Sequence, residues 1–414
     1  MNIRLLFGVG LATLLSACTS SSQATIPYGT SSGRSAADTA IYSGNGATGL
    51  PGGNGATGLP GGNGATGLPG GNGATGLPGA LLACTPLSTA GQAACTIAVN
   101  INIPPISDVT TPSNLLPGLH PADLQNAYSL PSQNRGGLVA IVDAYDDPNA
   151  EADLAVYRAA YGLPPCTTLN GCFKKVNQQG SSGNYPAFDA GWSEEISIDL
   201  DMVSATCPAC SIELIEANSA SLDDLGASVD FAAGSGAVAI SNSYYAYEWS
   251  GETAEDVHYN HPGVAITVAS GDQPSPLYPA ASQYVTSVGG TSLSGSSGSW
   301  TQSAWSYDGQ GCSAYVSRPQ WQHQTSCKTR ATVDVAAVAD PQTGVSMYDS
   351  LAGGWLVAGG TSVGAPLIAA AYALSGNPTG PAYSYQNATA FQQIGGSGYQ
   401  LPTGLGSPVG VRGF

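Results

Sequence analysis

Two carboxylates stand four residues apart in a stretch that reads WSEEISIDLDMVSA and is otherwise mostly apolar. On a helix with Ser193 as its N-cap, an apolar stripe forms, and Glu195 and Asp199 project from its middle. Burying two neighbouring carboxylates is costly, so proteins keep such a pair mainly where it is protonated, metal-bound or catalytic. Acids that complement the helix dipole in the first turn are the alternative explanation for Glu194 and Glu195, but not for Asp199. Asp201 falls on the opposite face, which we expect to be solvated.

Two further segments contain residue types that catalysis uses. Residues 359–366 read GGTSVGAP and precede a helix-like apolar run, which places Ser362 at the entrance of a buried helix. Such a serine suits a nucleophile, although a simple N-cap serine is the plainer explanation when the segment stands alone. The sequence ASGD at 269–272 ends a strand-like run, so Asp272 is either a site residue at the carboxyl edge of a sheet or a turn former.

Alternating strand and helix patterns must position these residues. Short β-branched apolar runs bounded by Gly, Pro or Asp predict buried parallel strands at 138–142, 212–215, 237–240 and 264–268. Helical patterns lie at 149–161, 193–206, 221–234 and 362–375. The alternation predicts an α/β fold with a doubly wound, mostly parallel sheet, helices on both faces, and ligands beyond the carboxyl ends of the strands.

The first residues of the chain predict an export signal. Residues 1–17 form a short apolar run after a basic residue and predict a signal peptide. The run ends in Leu-Ser-Ala-Cys, which resembles a bacterial lipobox in which Cys18 is lipidated; an ordinary signal with a coincidental cysteine is the alternative. The residues after the cysteine are Thr and Ser and not Asp, which by this resemblance implies sorting to the outer membrane.

A tether and a repeat follow the signal. Residues 18–45 predict a low-complexity tether, and residues 46–81 repeat GATGLPGGN with Gly at every third position. This period predicts either a flexible spacer or a weak collagen-like trimer. We expect residues 82–112 to be a disulfide-containing linker and residues 113–414 to be the globular domain.

Eight cysteines besides Cys18 fall in sequence-local couples, which predicts four short disulfides formed in an oxidising compartment. The couples are Cys84 with Cys95, Cys166 with Cys172, Cys207 with Cys210, and Cys312 with Cys327. The spacing of Cys207 and Cys210 is that of a redox CxxC, but the pair ends the acidic helix, which disfavours a thioredoxin-like role. The four histidines show no metal-ligand spacing, and we predict no metal site.

Charge excludes two classes of partner. The formal net charge is −17 with only ten Lys plus Arg, so we expect neither nucleic acid binding nor a basic membrane-surface patch. Charged residues are only 9% of the chain. Few salt bridges therefore exist that low pH would break, and the composition fits an acidic milieu.

Three motifs, taken in chain order, resemble those of the sedolisin family of serine-carboxyl peptidases, which keep a subtilisin-like fold but replace the histidine with a carboxylate. They are Glu195-Ile-Ser-Ile-Asp199, Ser270-Gly271-Asp272 and Gly360-Thr361-Ser362-Val-Gly-Ala-Pro366. The resemblance implies that Ser362 is the nucleophile, Glu195 the general base, Asp199 the group that orients Glu195, and Asp272 the oxyanion stabiliser. The resemblance also implies a substrate-binding set of Ser241, Ser243, Tyr244, Gly271, Gly360 and Thr361.

These implied roles favour operation below neutral pH. A carboxyl beside an oxyanion stabilises it only when the carboxyl is protonated and donates a hydrogen bond. We expect Glu195 and Asp199 to titrate as a coupled pair and acyl transfer to proceed through an acyl-enzyme on Ser362. Subtilisin is the competing assignment because Asp143 follows a strand where the aspartate of that enzyme lies. No His-Gly-Thr follows, so we expect Asp143 to be structural.

The sequence departs from the family pattern at three places. Glutamines, in Gln392-Gln393-Ile394 and at Gln400, stand where the family has the aspartates of a calcium loop, so we predict that this site is lost or weak and that no cofactor is needed. Tyr245 replaces the glycine expected after Tyr244 and could crowd the cleft. The stretch between Cys18 and residue 113 is too short for the folded prodomain usual in the family.

The sequence therefore predicts an acid serine-carboxyl endopeptidase that acts on polypeptides. We expect it to be exported, anchored by lipid to the bacterial outer membrane or cell surface, and monomeric unless the repeat trimerises. One alternative is a peptidase-like domain that has lost turnover and binds peptides or surface polymers. The other is a structural surface protein whose repeat trimerises and whose globular head is an adhesin.

Overall fold

The computed structural model describes residues 77–414 apart from 88, 90, 133–135 and 378. The predicted signal peptide, the lipidated Cys18, the tether and the repeat up to residue 76 lie outside the described residues. Among the helices that are described, none is long and apolar enough to cross a membrane.

The described part of the chain contains six α-helices and nineteen strands. The helices are α1 (Pro121–Ala127), α2 (Ala150–Ala160), α3 (Ala190–Thr206), α4 (Leu222–Gly234), α5 (Gly364–Ser375) and α6 (Pro381–Gln386). The strands are β1 (Ala80–Leu82), β2 (Ala94–Cys95), β3 (Ala98–Asn100), β4 (Leu138–Ala144), β5 (Phe173–Asn177), β6 (Ser211–Ala217), β7 (Ala239–Asn242), β8 (Tyr244–Tyr247), β9 (Ala265–Ala269), β10 (Leu277–Tyr278), β11 (Thr286–Ser296), β12 (Ser299–Ala304), β13 (Cys312–Ser317), β14 (Thr329–Ala331), β15 (Val335–Val338), β16 (Val345–Asp349), β17 (Gly354–Gly359), β18 (Phe391–Gln392) and β19 (Ser407–Pro408).

An eight-stranded sheet lies at the centre of the fold. Its strands follow the order β12-β11-β9-β7-β4-β6-β5, and β15 pairs with β11 beside this path. Every pair except β11 with β12 is parallel. The four predicted strands are β4, β6, β7 and β9, and the four predicted helices are α2 to α5. The predicted α/β fold with a mostly parallel sheet is confirmed.

The parallel register brings three strand ends to one edge of the sheet. Ile141 of β4 is level with Ser241 of β7, which in turn is level with Thr267 of β9. The residues that follow these positions therefore emerge together at the carboxyl edge. This is the edge at which doubly wound sheets bind ligands.

Helix α3 begins earlier, and is more deeply buried, than the sequence predicts. Asp189, not Ser193, is its N-cap, because the Asp189 carboxylate accepts hydrogen bonds from the N–H groups of Gly191 and Trp192. The predicted solvated face is wrong, since Asp201 is only 1% exposed. Helices α2 and α5 and strand β16 surround α3. The Asp201 carboxylate accepts a hydrogen bond of 2.9 Å from the N–H of Tyr348 in β16.

Residues 82–112, which the sequence predicts to be a linker, contribute strands to the folded domain. Strand β3 pairs antiparallel with both β1 and β17, and β2 pairs antiparallel with β8. All four predicted disulfides are formed. One of them, Cys84–Cys95, lies within this segment and closes the chain between β1 and β2.

Candidate active site

The four residues predicted to be catalytic meet at the carboxyl edge of the central sheet. Glu195 and Asp199 lie in the middle of α3, Asp272 follows β9, and Ser362 stands two residues before α5. All four are buried: Asp272 is 4% exposed and the other three are 0% exposed. The residues that the sequence separates by up to 167 positions thus form one cluster.

Two serine hydroxyls hold the Asp199 carboxylate. The Ser243 hydroxyl donates to Asp199 Oδ1 at 2.7 Å, and the Ser241 hydroxyl donates to Oδ2 at 3.4 Å. Both serines were predicted to bind substrate. In the structure the side chains of both serines contact Asp199. The backbone carbonyl of Ser243 takes no part in this contact. Asp199 is therefore fixed one helical turn from Glu195.

Glu195 and Ser362 contact the same threonine. The N–H of Thr96 donates to Glu195 Oε2 at 2.8 Å, and the Thr96 hydroxyl lies 2.6 Å from Ser362 Oγ. The other oxygen of Glu195, Oε1, is buried and has no hydrogen-bond partner within the described residues. A buried acceptor beside a serine at the start of a helix is suited to take the proton of that serine.

Asp272 is anchored through one oxygen only. Its Oδ1 accepts hydrogen bonds from the Thr361 N–H at 2.8 Å and from the Thr361 hydroxyl at 2.9 Å. The Thr361 hydroxyl in turn accepts from the Gly271 N–H at 3.0 Å. Asp272 Oδ2 is buried without a partner in the part of the chain that is described. When Asp272 is protonated on Oδ2, it can donate a hydrogen bond to a ligand oxygen.

Gly360 leaves room beside Oδ2 of Asp272. Its φ is +91°, a value that favours glycine. A Cβ atom at this position would lie 1.8 Å from the Thr96 carbonyl oxygen and 2.7 Å from Asp272 Oδ2. The carbonyl and the free carboxyl oxygen therefore lie on the same side of Gly360, and any side chain here would collide with both.

Burial is the main cause of the raised pKa values of the carboxyls in the cluster. It raises the pKa of Asp272 to about 7, against the two hydrogen bonds from Thr361 that favour the charged form. Burial, followed by repulsion from Asp143, also raises the pKa values of Glu195 and Asp199 well above their usual range. The nearby Ser362 hydroxyl and the Thr96 N–H oppose the rise in the pKa of Glu195.

Two residues of the cluster were not predicted as site residues. Asp143, at the end of β4, was expected to be structural, but it is 0% exposed, neither of its carboxyl oxygens has a partner among the described residues, and burial raises its pKa to about 8. Its position at the end of a buried strand next to β7 was the signal that could have found it. Thr96 lies in the segment expected to be a linker, and no local pattern marks it.

The first two residues of β8, Tyr244 and Tyr245, pair through their backbone with β2. Tyr244 is level with Cys95 and Tyr245 with Ala94 in the antiparallel pairing of β8 with β2. The Tyr244 hydroxyl donates to Asn242 Oδ1 at 2.9 Å in the core. Substrate binding by Tyr244 stays a prediction; the structure places its ring in the core and pairs its main chain with β2.

The loop at which a calcium site is expected to be lost has an arrangement that fits a cation poorly. The Gln400 amide nitrogen donates to the Ser397 carbonyl at 3.2 Å, and the Ile394 carbonyl accepts the Thr403 hydroxyl at 3.1 Å. Calcium requires oxygen ligands with available lone pairs, preferably from carboxylates. No group of three or more potential metal ligands occurs among the described residues. The loss of calcium binding stays a prediction.

The fold has a counterpart among solved structures. The structure of Pseudomonas sedolisin, a serine-carboxyl proteinase complexed with two molecules of pseudo-iodotyrostatin, superposes with a TM-score of 0.61 at 22% sequence identity. The match covers 71% of this chain and 96% of that one. The chain has the fold of the sedolisins.

The sequence is similar to that of kumamolisin from Bacillus sp. (strain MN-32), at 28% identity over 356 residues. The alignment covers 70% of this chain and 62% of kumamolisin, so the chain spans less than two thirds of that relative. The resemblance to the sedolisins that the motifs predict is confirmed. No protein-family model matches the chain. A weaker structural match, with a TM-score of 0.44 at 16% identity, is to fervidolysin from Fervidobacterium pennivorans and covers 66% of this chain and 41% of that one.

Proposed function

We propose that the chain is a serine-carboxyl endopeptidase that hydrolyses peptide bonds through an acyl-enzyme on Ser362. One observation carries the proposal: Ser362, a buried carboxyl able to take its proton and a second carboxyl with one free oxygen lie around Thr96 and Gly360. The relatives support the same chemistry by name, since Pseudomonas sedolisin is a serine-carboxyl proteinase.

Each group acts once when the acyl-enzyme forms and once more when water hydrolyses it. Ser362 Oγ attacks the carbonyl carbon of the substrate, its proton passes to Glu195, and the carbonyl oxygen becomes an oxyanion. The proton on Asp272 Oδ2 is shared with the oxyanion as a hydrogen bond. The tetrahedral intermediate collapses, Glu195 returns the proton to the departing amine, and the acyl group remains on Ser362. Water then repeats these steps and releases the carboxylic acid.

Asp199 and Asp143 prepare Glu195 for this exchange. Repulsion from each neighbouring carboxylate makes a second negative charge unfavourable, so the group of acids holds protons at a pH where isolated carboxyls have lost them. The hydroxyls of Ser243 and Ser241 fix Asp199 in place. Because the oxyanion needs a protonated Asp272, we propose that the enzyme operates at acid pH.

The experiment that tests the proposal is digestion of a denatured protein by the soluble chain from residue 19 onward between pH 2 and pH 8. The Ser362→Ala and Glu195→Gln variants serve as matched controls, each with and without a calcium chelator. We expect cleavage at acid pH, its loss in both variants, and no effect of the chelator, in line with the proposal that no calcium is needed. Equal background in all three proteins at every pH refutes the peptidase.

The second candidate function is peptide binding without turnover. The observation that favours it is the complete burial of Ser362 in this structure. If this function is correct, labelled peptides bind to the protein and remain uncut. The Ser362→Ala variant then binds the same amount of peptide. Trapping of an acyl-enzyme on Ser362, detected by mass spectrometry after acid quench, excludes it.

We propose further that the protein is exported and anchored through a lipid on Cys18 at the bacterial outer membrane or cell surface, as a monomer. The lipobox-like sequence and the four disulfides support this location. Incorporation of a labelled fatty acid, abolished in Cys18→Ser, tests the anchor. A monomeric mass of the chain from residue 19, independent of concentration, is expected; a trimeric mass would assign the repeat to assembly.

A further inference from the structure

The last copy of the repeat ends in a turn that packs on the globular domain. Residues 77–80 read Leu-Pro-Gly-Ala. The Ala80 N–H donates to the Leu77 carbonyl at 3.2 Å, and Gly79 has a φ of +68°. Proline in the second position and a glycine with positive φ in the third are typical of a type II β-turn. The residues of a collagen triple helix have negative φ values, so this copy is folded as a turn and not as a collagen strand.

One face of the domain binds this turn, and we call it the turn site. Its members are Ala98, Trp305, Tyr307, Ala339 and Gln342. Leu77 is only 6% exposed and packs in one apolar cluster with the members other than the glutamine. The side-chain amide of Gln342 donates to the Pro78 carbonyl at 3.0 Å and to the Gly79 carbonyl at 3.3 Å. The turn site therefore contacts a leucine side chain and the carbonyls of the proline and glycine that follow it.

The groups that the turn site contacts recur in every copy of the repeat. Gly-Leu-Pro-Gly stands at 49–52, 58–61 and 67–70, as it does at 76–79. Only the next residue differs, since a glycine follows the three earlier copies and Ala80 follows the last. Glycine can adopt the same turn. Each earlier copy thus carries the groups by which the last copy binds the domain.

A cavity of about 210 Å³ lies directly beside the bound turn. Leu77 and Pro78 form part of its wall, and Trp305, Tyr307 and Ala304 form another part. An apolar cavity of about 150 Å³ is large enough to bind benzene, so this one has room for a leucine side chain with part of a proline ring. Surfaces lined by aromatic side chains are also those that bind proline-containing segments.

The charged residue of the cavity is already paired. Asp340 lines the cavity, its Oδ2 accepts the Ser292 hydroxyl at 2.6 Å, and its Oδ1 accepts the Gln342 N–H at 2.9 Å. An uncharged occupant therefore leaves no carboxylate oxygen without a partner. The repeat unit GATGLPGGN contains no charged residue, which fits this cavity.

The preceding copy of the repeat is within reach of the cavity. Leu68 stands nine residues before Leu77, which forms part of the cavity wall. Nine residues span up to about 30 Å when extended. Gly-rich chains behave as flexible coils, and a short flexible connection gives an effective concentration of about a millimolar. The copy in the same chain therefore competes well against a copy from a second molecule.

We propose that the cavity beside Leu77 binds the preceding turn of the same chain, Leu68-Pro69-Gly70. The end of the repeat is then a ligand of the globular domain as well as a spacer, and each bound copy takes one unit out of the spacer. This proposal does not depend on peptide hydrolysis by the domain.

The test measures binding of a repeat peptide to the chain from residue 19 onward. All proteins carry Ser362→Ala, so that the peptide is not cut. The probe is a fluorescent Gly-Ala-Thr-Gly-Leu-Pro-Gly-Gly-Asn peptide, followed by anisotropy, and the control probe has serine in place of leucine. The open variant adds Leu50→Ser, Leu59→Ser and Leu68→Ser, which removes the leucines of the three preceding copies.

Two filled variants show where the probe binds. They add Ala304→Trp or Ser306→Trp to the open variant, because both positions line the cavity but lie outside the apolar cluster of Leu77. The larger side chain then occupies the cavity while the turn site keeps its members. Each filled variant must have the urea midpoint of the open variant, and two are used so that one that fails to fold does not decide the outcome.

We expect the open variant to bind the probe and the Ser362→Ala protein to bind it at least fivefold more weakly, because its own Leu68 turn competes. We expect the filled variants to bind the probe at least tenfold more weakly than the open variant, and the open variant to discriminate as strongly against the serine probe. Equal binding by the Ser362→Ala protein and the open variant overturns the proposal and assigns the cavity to the repeat of a second copy. No binding by the open variant, or equal binding of both probes, overturns the cavity as a site for Leu-Pro-Gly turns.

Discussion

Substitution of Asp147 should change how the stability of the protein depends on pH. Asp147 is 0% exposed, its Oδ1 accepts the Asn149 N–H at 2.9 Å, and its Oδ2 has no partner among the described residues. Burial, together with the nearby Asp349 and Asp153, raises its pKa from 3.8 to about 7, while the Asn149 N–H and Lys175 oppose the rise. The folded protein therefore binds a proton here that the unfolded chain releases.

Proton linkage gives the sign and the size of the change in the free energy of unfolding with pH. Between about pH 4 and pH 7 the folded state holds more protons than the unfolded state, so the free energy of unfolding falls as pH rises through this window. The stabilisation is complete below the unfolded pKa and is lost as pH passes the folded one. A shift of this size corresponds to about 4 kcal/mol, as an order of magnitude.

Asp147→Asn removes this titration and keeps the Oδ1 acceptor. The new amide nitrogen lacks a hydrogen-bond partner, which costs about 1–3 kcal/mol at every pH. We therefore expect the variant to be less stable than the unaltered chain at pH 4 and more stable at pH 8, as measured by urea unfolding at both. Asp223→Asn, on the exposed side of α4, is the control. Parallel pH curves for Asp147→Asn and the unaltered chain would refute the reasoning.

Three further predictions concern the site and the core. Peptide hydrolysis should fall as pH rises through about 7, because Asp272, whose pKa burial raises to that value, loses the proton it donates to the oxyanion; an activity that is flat from pH 5 to pH 9 contradicts this. Ser243→Ala should lower kcat by roughly 10-fold to 100-fold with little change in KM, because it frees Asp199 but keeps the carbonyl of residue 243; steady-state kinetics decide, and a rise in KM alone would assign Ser243 to substrate binding. Asp334→Ala should cost about 3–5 kcal/mol, since it leaves buried Arg330 without the carboxylate that lies 2.5 Å away; a urea midpoint close to that of the unaltered chain would show that Arg330 finds another partner.

The parts of the site that could be predicted are those marked by local periodicity. Glu195 and Asp199 stand out because a helical pattern places both on an apolar stripe, and Asp272 and Ser362 because each lies where a strand or helix ends. The burial of Asp201 could not be predicted, because β16, which covers it, lies 147 residues away in the chain. A solvated face cannot be inferred from one helix when a distant strand covers that face.

The position of Thr96 is even harder to predict from local sequence patterns. The strands on either side of it are two and three residues long, too short for a period-two pattern to be visible. Its partner Ser362 is 266 positions away. Only the pairing of β2 with β8 and of β3 with β17 places it in the cleft. Asp143 was expected to be structural because no His-Gly-Thr motif follows it in the sequence.

The buried carboxyls also alter the electrical character of the folded molecule. Burial raises the pKa of Asp143 to about 8, of Glu216 to about 8 and of Asp147 to about 7, so these groups are largely neutral in the folded protein at pH 6. The native charge is then less negative than the formal −17, and the native isoelectric point lies above the 4.2 of the sequence. Unfolding at this pH releases protons to the solvent. The smaller native charge weakens electrostatic repulsion between neighbouring copies of the protein.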